Sequence, residues 1–569
     1  MILTKEEQCQ PYVDAGLWGD NPQEHSLDGI LRTNARDNAD AIAFSDAPNR
    51  SLWTSGDSRS LTCSALDHEV TIMATFIKGL GLSNDTVVAL YGPNTVDMVL
   101  SLLAINRAGL IAAPMPLFWR ELEMSNYLTE IQARAIFTVD RIEEDAPALR
   151  CRDLTQSLFS IKYILGFGDN LPDGVVSLDQ ILPAVSQMLN EEVDKEVTFE
   201  PINPDAVITL HPASLQSRET EIALPRTSNQ WLSTERAIFD VIDDAKHSLS
   251  PFALSGALGF CTGIVRTLKH KGRVSFHHFQ TENTLAAHID LIKPDMVLLP
   301  QHLAASQLDR LSSNTFTTLG CVWKNNHLAQ MPITQSDDTH TVFDISILNE
   351  VAAIGQLRPL GSDSPSPLPL SDDIRDISLR LRKPSNDKLE KQSQLAGGEL
   401  IAVGASAPEA LFPSNSEERA LSRLRNKTLH EGARTHVGCR LKQDDLTQCE
   451  PIGFLIDTIH RSTQVTTTTE LDSLYKSMPN IIDAAHFIDP ATNNLNLAVV
   501  MHGPIPTAEE FGKSLTQMGV SHLKIPHAIF ETNEIKRGVG GVVIRHELVA
   551  LLEQSKSRKV MEDRQQAAI

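Results

Sequence analysis

Between residues 61 and 139 the apolar positions switch from a three-to-four spacing to short continuous runs and back, and this alternation constrains the fold most. Leu66, Val70, Met73, Phe76, Ile77 and Leu80 predict an amphipathic helix that stops at Gly79–Gly81. Thr86–Tyr91, TVVALY, is rich in β-formers and leads into the turn Gly92-Pro93-Asn94, so it reads as a strand. A second apolar helix is expected over Val96–Ala108, followed by the breaker Gly109 and the apolar run Leu110–Ala113 that ends at Pro114. Ala133–Val139, ARAIFTV, is the next expected strand. Strands alternating with helices of this length predict an α/β fold with parallel layers.

A chain of 569 residues exceeds the usual size of one core, so two or more domains are expected. The net charge of −22 argues against nucleic acid and anionic membrane as partners, since both demand basic patches. Seven scattered cysteines without metal-ligand spacing read as reduced thiols of a cytoplasmic protein. The start, MILTKEEQCQPY, has no apolar core of the secretory kind, and no run of about 18 apolar residues points to a membrane span. Gly361–Leu370 and Ser414–Glu418 read as loops, Thr466–Thr469 as an exposed turn or β-segment, and Gln554–Ile569 as a charged tail.

Several segments, in order, resemble the adenylate-forming enzymes: acyl- and aryl-CoA synthetases, amino-acid adenylation domains and luciferases. Glu534–Leu548, EIKRGVGGVVIRHEL, is similar to their C-terminal signature, with Ile535, Arg537, Gly541 and Arg545 on the pattern. Leu61–Leu66 resembles the "LTYxEL" entry, Thr86–Asn94 the "DxVAxxLPN" strand, and Leu103–Gly109 the "LAxxRAG" helix end. Ser248–Leu258 stands where the family has "LPLFHxxG", Gly272–Val274 resembles "GGRVV", and Pro294–Pro300 resembles "VTxxxxVP". Gly397–Leu400 resembles the "GEL" strand, and Glu470–Asp472 the "ExE" that opens a helix. The resemblance implies a large multi-subdomain α/β domain, about residues 1–455, and a small mobile α+β domain, 456–569. It also allows a homodimer.

The resemblance also marks the positions that would handle ATP, and there the chain departs. The lysine that bridges phosphate and carboxylate falls on Val542, and an isopropyl group cannot replace that point charge. The phosphate-cradling "TSGTTGxPK" loop corresponds to His211–Leu224, which has no glycine or lysine and carries Glu219 and Glu221. Ser214, Ser217 and Arg218 are the residues there that a rearranged cradle would use. The "YGxTE" motif corresponds to Ser346–Glu350, which keeps the metal carboxylate as Glu350, puts Asn349 at the threonine and replaces the adenine-stacking tyrosine with Ser346. The ribose-binding aspartate of "RTGD" falls on Val437, beside His436. The hinge "GRxDD" reads Gly453–Asp457, with Ile456 at the hinge acid. Phe252, Leu254 and Trp323 are candidates to line an acyl pocket, as are Phe260 and Val322, and all read equally as core.

Changes concentrated on nucleotide positions, with scaffold positions kept, favour a pseudoenzyme that binds a ligand or partner. The candidates are a small carboxylate, an acyl-CoA and a carrier protein. The alternative is a divergent acyl- or aryl-acid ligase with a remodelled site, which would require ATP and Mg2+. His277-His278 reads as strand-end structure rather than a metal site, and no serine sits in a nucleophile-elbow pattern.

Overall fold

In the computed structural model the described residues are 26–191, 198–213, 222–242, 245–278, 282–301, 303–304, 316–324, 340–371, 376–382, 398–408, 432–442, 444–454, 458–461, 464–489, 492, 494–536, 543, 545 and 547–552. The chain separates into two compact units. The larger holds Met1–Leu117, Tyr127–Ala213 and Ile222–Leu455, and the smaller holds Phe118–Asn126, Ser214–Glu221 and Ile456–Ile569.

The helix read from the 61–80 periodicity spans Cys63–Gly79, with the Thr62 hydroxyl accepting from the Ala65 amide at 3.2 Å. Leu66, Val70, Met73 and Ile77 are buried along one face, as the spacing requires. The next helix, Val96–Arg107, is buried at every position, so it is apolar on nearly all sides. Its two charged residues are paired: Asp97 with Arg50 and Arg59, and Arg107 with Asp28 (2.7 Å) and Asp67 (2.6 Å). Burying those charges unpaired would be prohibitive.

These helices flank a seven-stranded sheet whose order is Val176–Ser177, Tyr163–Phe167, Ala135–Val139, Val87–Tyr91, Ile111–Pro114, Val207–Ala213, Ile222–Thr227. Every pairing is parallel except the last. Pro114 is the last residue of its strand, opposite Leu90, where its missing N–H costs the ladder least.

A second, eight-stranded sheet runs Ala352–Leu357, Thr341–Leu348, Thr318–Lys324, Met296–Pro300, His247–Ser250, Arg273–Phe276, Ile42–Ser45, Ser60–Thr62. It is parallel in its centre and antiparallel at both edges. A single core joins the two sheets, with Phe44, Leu103, Phe137, Trp231, Phe260, Phe276 and Phe343 all buried in it. A five-stranded antiparallel sheet, Leu368–Pro369, Gln448–Phe454, Ala433–Leu441, Glu399–Val403, Ser378–Arg382, completes the unit.

The smaller unit has a hairpin of Thr458–Arg461 and Gln464–Thr467, the helix Thr468–Lys476, and a sheet ordered Ile481–Ile488, Leu495–Met501, Ala528–Glu531. The helix Ala508–Gln517 starts in a capping box between Thr507 and Glu510. Leu471, Tyr475, Leu497, Phe511 and Leu515 form its core. The molecule is therefore α/β, with a large multi-sheet domain and a small α+β one. Six cysteines, Cys63, Cys151, Cys261, Cys321, Cys439 and Cys449, are buried free thiols. Among the described residues no helix is long and apolar enough to cross a membrane.

Candidate functional site

Glu350 sits at the edge of the eight-stranded sheet, where Thr341–Leu348 turns back into Ala352–Leu357. The turn is tight. Asn349 and Glu350 have φ of 50° and 58°, a left-handed geometry that asparagine tolerates and glutamate adopts at a cost. Such a turn persists only when its surroundings hold it, and here they do. Arg226 donates to the carbonyl oxygens of Glu350 (2.7 Å), Val351 (2.9 Å) and Ser406 (2.6 Å).

The Glu350 side chain is fixed as firmly as its backbone. Oε1 lies 2.8 Å from Nζ of Lys324, the last residue of the neighbouring strand Thr318–Lys324. Oε2 accepts from the Ala257 amide at 2.7 Å. Gly259 brings that segment into place, because a Cβ there would stand 2.0 Å from the Ala253 carbonyl oxygen. Burial alone would push the Glu350 carboxyl up, but the Lys324 charge and hydrogen bond, the Ala257 amide and His211 together hold it below the usual carboxylate range. It is an anion with both oxygens engaged.

Behind it lies a buried wall. His211 donates from Nδ1 to the Ser255 carbonyl at 3.0 Å and packs edge-on against Trp231 and Phe260. Donation from Nδ1 leaves Nε2 as the unprotonated nitrogen. Arg226 lies over the Trp231 ring, 5.0 Å from its centroid. Burial draws the Arg226 guanidinium down to about 10.

The structure distributes the sequence candidates unevenly. Glu350 and Asn349 form the turn just described. Ser214, Ser217, Arg218, Glu219, Glu221, Ile456, Asp457, Arg537, Gly541 and Val542 lie outside the described residues. Leu254 is buried and lines a narrow cleft with Leu90, Met98, Leu102, Met115 and Leu117. Phe252 is half-buried, and its carbonyl accepts from Asn94 at 2.7 Å. Trp323 donates its ring N–H to Asp344 at 2.7 Å, and Asp344 pairs with Arg358 at 2.9 Å, so its polar edge belongs to an interior network. Val437 is fully buried in the five-stranded sheet. Ser346 is buried within its strand, and an adenine base would have to displace core to reach it. His436, at φ 59°, has Nδ1 3.5 Å from Glu399, which Arg434 also grips at 2.9 Å. In the smaller unit Arg545 clamps Asp472 (2.6 Å) and the His486 carbonyl (2.9 Å).

Lys324, Arg226 and His211 were not among the sequence candidates. Lys324 gives a local signal only once the strands pair: it stands opposite Ile347, three residues before Glu350.

Several histidines are held neutral. Burial lowers His211, His247, His288 and His436 to about 4, and lowers His277 to about 3 with help from His288 and His278. The His277 Nδ1 stands 3.0 Å from Nδ1 of His288, and among the described residues no cluster of three metal-ligating side chains forms. A histidine whose folded pKa is depressed takes up its proton more readily when unfolded. Stability is therefore present above the ordinary value near 6.5 and drains as pH falls toward about 4. Denaturant midpoints measured from pH 7.5 to 4.5 should fall steadily below about pH 6.5, and a flat profile would contradict this assignment.

A large unit with two parallel-centred sheets and an antiparallel third, together with a small α+β unit, matches the fold of adenylate-forming enzymes. The sequence pattern of the AMP-binding enzyme family matches residues 31–211. The chain is 26% identical to a medium-chain fatty-acid–CoA ligase of Escherichia coli (strain K12) over 275 residues, 46% of this chain and 43% of that protein. It is 20% identical to an oxalate–CoA ligase of Arabidopsis thaliana, covering 82% of this chain and 89% of that one. The apo structure of MbtA from Mycobacterium smegmatis superposes with a TM-score of 0.62 at 20% identity, over 96% of this chain and 98% of that one. Residues 31–211 are thus similar to the AMP-binding enzyme family, the fold is that of the adenylate-forming enzymes, and the curated relatives named here are CoA ligases.

Proposed function

We propose that this protein binds an acyl or aryl carboxylate, as the free acid or as its CoA or carrier-protein thioester, without standard magnesium-dependent adenylation. The observation that carries this reading is the state of Glu350. Its position would present a carboxylate to magnesium, yet one oxygen is taken by Lys324 and the other by Ala257. Magnesium requires near-ideal octahedral oxygen ligation, which an adjacent ammonium opposes. The valine at the ribose position adds support, since Val437 is buried and offers no hydrogen bond to a sugar. Both features support a site that works without magnesium–ATP.

A second reading, an active acyl- or aryl-acid ligase with a remodelled site, is favoured by a specific finding: both curated relatives named above are CoA ligases. Calorimetry with ATP, with and without magnesium, separates the two. The binder reading expects no saturable ATP heat in either condition, while one or more acids or thioesters from a fatty and aryl panel bind. Saturable magnesium-dependent ATP binding would establish the ligase reading instead.

A further inference from the structure

Lys324 and Glu350 come from neighbouring strand ends, and their pairing has a consequence for metal binding. The ammonium is 2.8 Å from one carboxylate oxygen, while the amide of Ala257 holds the other oxygen at 2.7 Å. The carboxylate is largely buried, whereas the lysine side chain is 37% exposed. Buried Arg226 adds a second positive charge beneath the same turn. One cation therefore pairs with the carboxylate and a second holds the backbone of its turn, and among the described residues no group of three metal-ligating side chains forms.

We propose that Lys324 is an internal cation that replaces a divalent metal on Glu350, so that this site excludes Mg2+ and Mn2+. The physical basis is charge and geometry. A metal ion bound to Glu350 would stand within a few ångström of the ammonium, and like charges at that range in a partly buried site repel strongly. Moving Lys324 aside would leave a largely buried carboxylate without its direct ion pair, a place that a metal would then take, so ammonium and metal compete for it. A lysine suits this role, being a compact point charge on a flexible stem.

The inference concerns the same site as the functional reading but is tested with no nucleotide or acyl ligand, so the two can fail separately. Free Mn2+ is measured by electron paramagnetic resonance in titrations of the full chain, as wild type, Glu350→Gln, Lys324→Met and the double variant. Other acidic groups on this anionic protein will bind Mn2+ weakly, and the comparison cancels them. The wild type and Glu350→Gln should give superimposable isotherms. Lys324→Met should gain one Mn2+ site, at least about tenfold tighter than that background, and the double variant should lose it. A wild-type site abolished by Glu350→Gln would overturn the proposal. So would a Lys324→Met protein that gains no site although a cooperative melt and a wild-type circular dichroism spectrum show it folded. Lys324 is part-exposed at a strand end, so this substitution leaves the core intact.

Discussion

ATP–pyrophosphate exchange is expected to stay at background for the unmodified protein with every fatty or aryl acid, and Val542→Lys is expected not to raise it. If Val542 were the one lesion, a restored lysine would supply the missing transition-state charge, a contact commonly worth about 10²–10³ in rate. Other contacts are missing too. Val437, which the resemblance sets at the ribose carboxylate, is buried, and Glu350, which it sets at the metal, is paired with Lys324. Arg545, on the same C-terminal signature as Val542, is engaged with Asp472 and the His486 carbonyl and so braces its own domain. Groups that act as one unit are strongly non-additive, so repairing one in a multiply altered site returns little. The assay follows radiolabelled pyrophosphate into ATP for both proteins over the same acid panel. Exchange well above the no-acid control in the unmodified protein would establish the ligase. A rise with Val542→Lys alone would show that the remaining nucleotide site is intact.

The scaffold could be read from the sequence because its signals are local. Leu66 to Ile77 show helical spacing, TVVALY is a continuous β-forming run, and both outcomes are set by short-range geometry. The helix Ser228–Phe239 also has a local mark, the capping box between Thr227 and Gln230. The candidate site was half legible. Glu350 was singled out from the family pattern, but its left-handed turn was not, because no glycine announces it. Lys324 was missed for a different reason. It is separated from Glu350 in sequence, and only the parallel pairing of Thr318–Lys324 with Thr341–Leu348 brings them together. Trp323 was singled out as apolar lining, and a sequence gives no sign that its N–H would be taken by Asp344. Long-range hydrogen bonds of this kind depend on register and rotamer, which composition and periodicity do not carry.

Arg226→Met is expected to destabilise the larger unit by about 3–5 kcal/mol, the range seen when one partner of a buried charged network is removed. This guanidinium ties three sheets together. It projects from Ile222–Thr227 in the first, reaches the Glu350–Val351 turn of the second, and binds the Ser406 carbonyl just beyond Glu399–Val403 in the third. Methionine fills much the same volume, so most of the packing against Trp231 is kept while the hydrogen bonds and the cation–π contact are lost together. Three buried carbonyl oxygens would lose a charge-assisted donor, each worth about 1.5–3 kcal/mol before relaxation. Burial opposes this gain, because it already draws Arg226 down to about 10. The balance decides the sign. If desolvation of the cation outweighed its three bonds, Arg226→Met would match or exceed the wild type in denaturant midpoint, and the tether would be refuted. Arg226→Lys separates charge from geometry, since a single ammonium cannot span the three carbonyls, and should retain only part of the lost stability. Guanidinium chloride titrations followed by tryptophan fluorescence suit this test, because Trp231 lies beneath the substituted side chain and reports its neighbourhood directly.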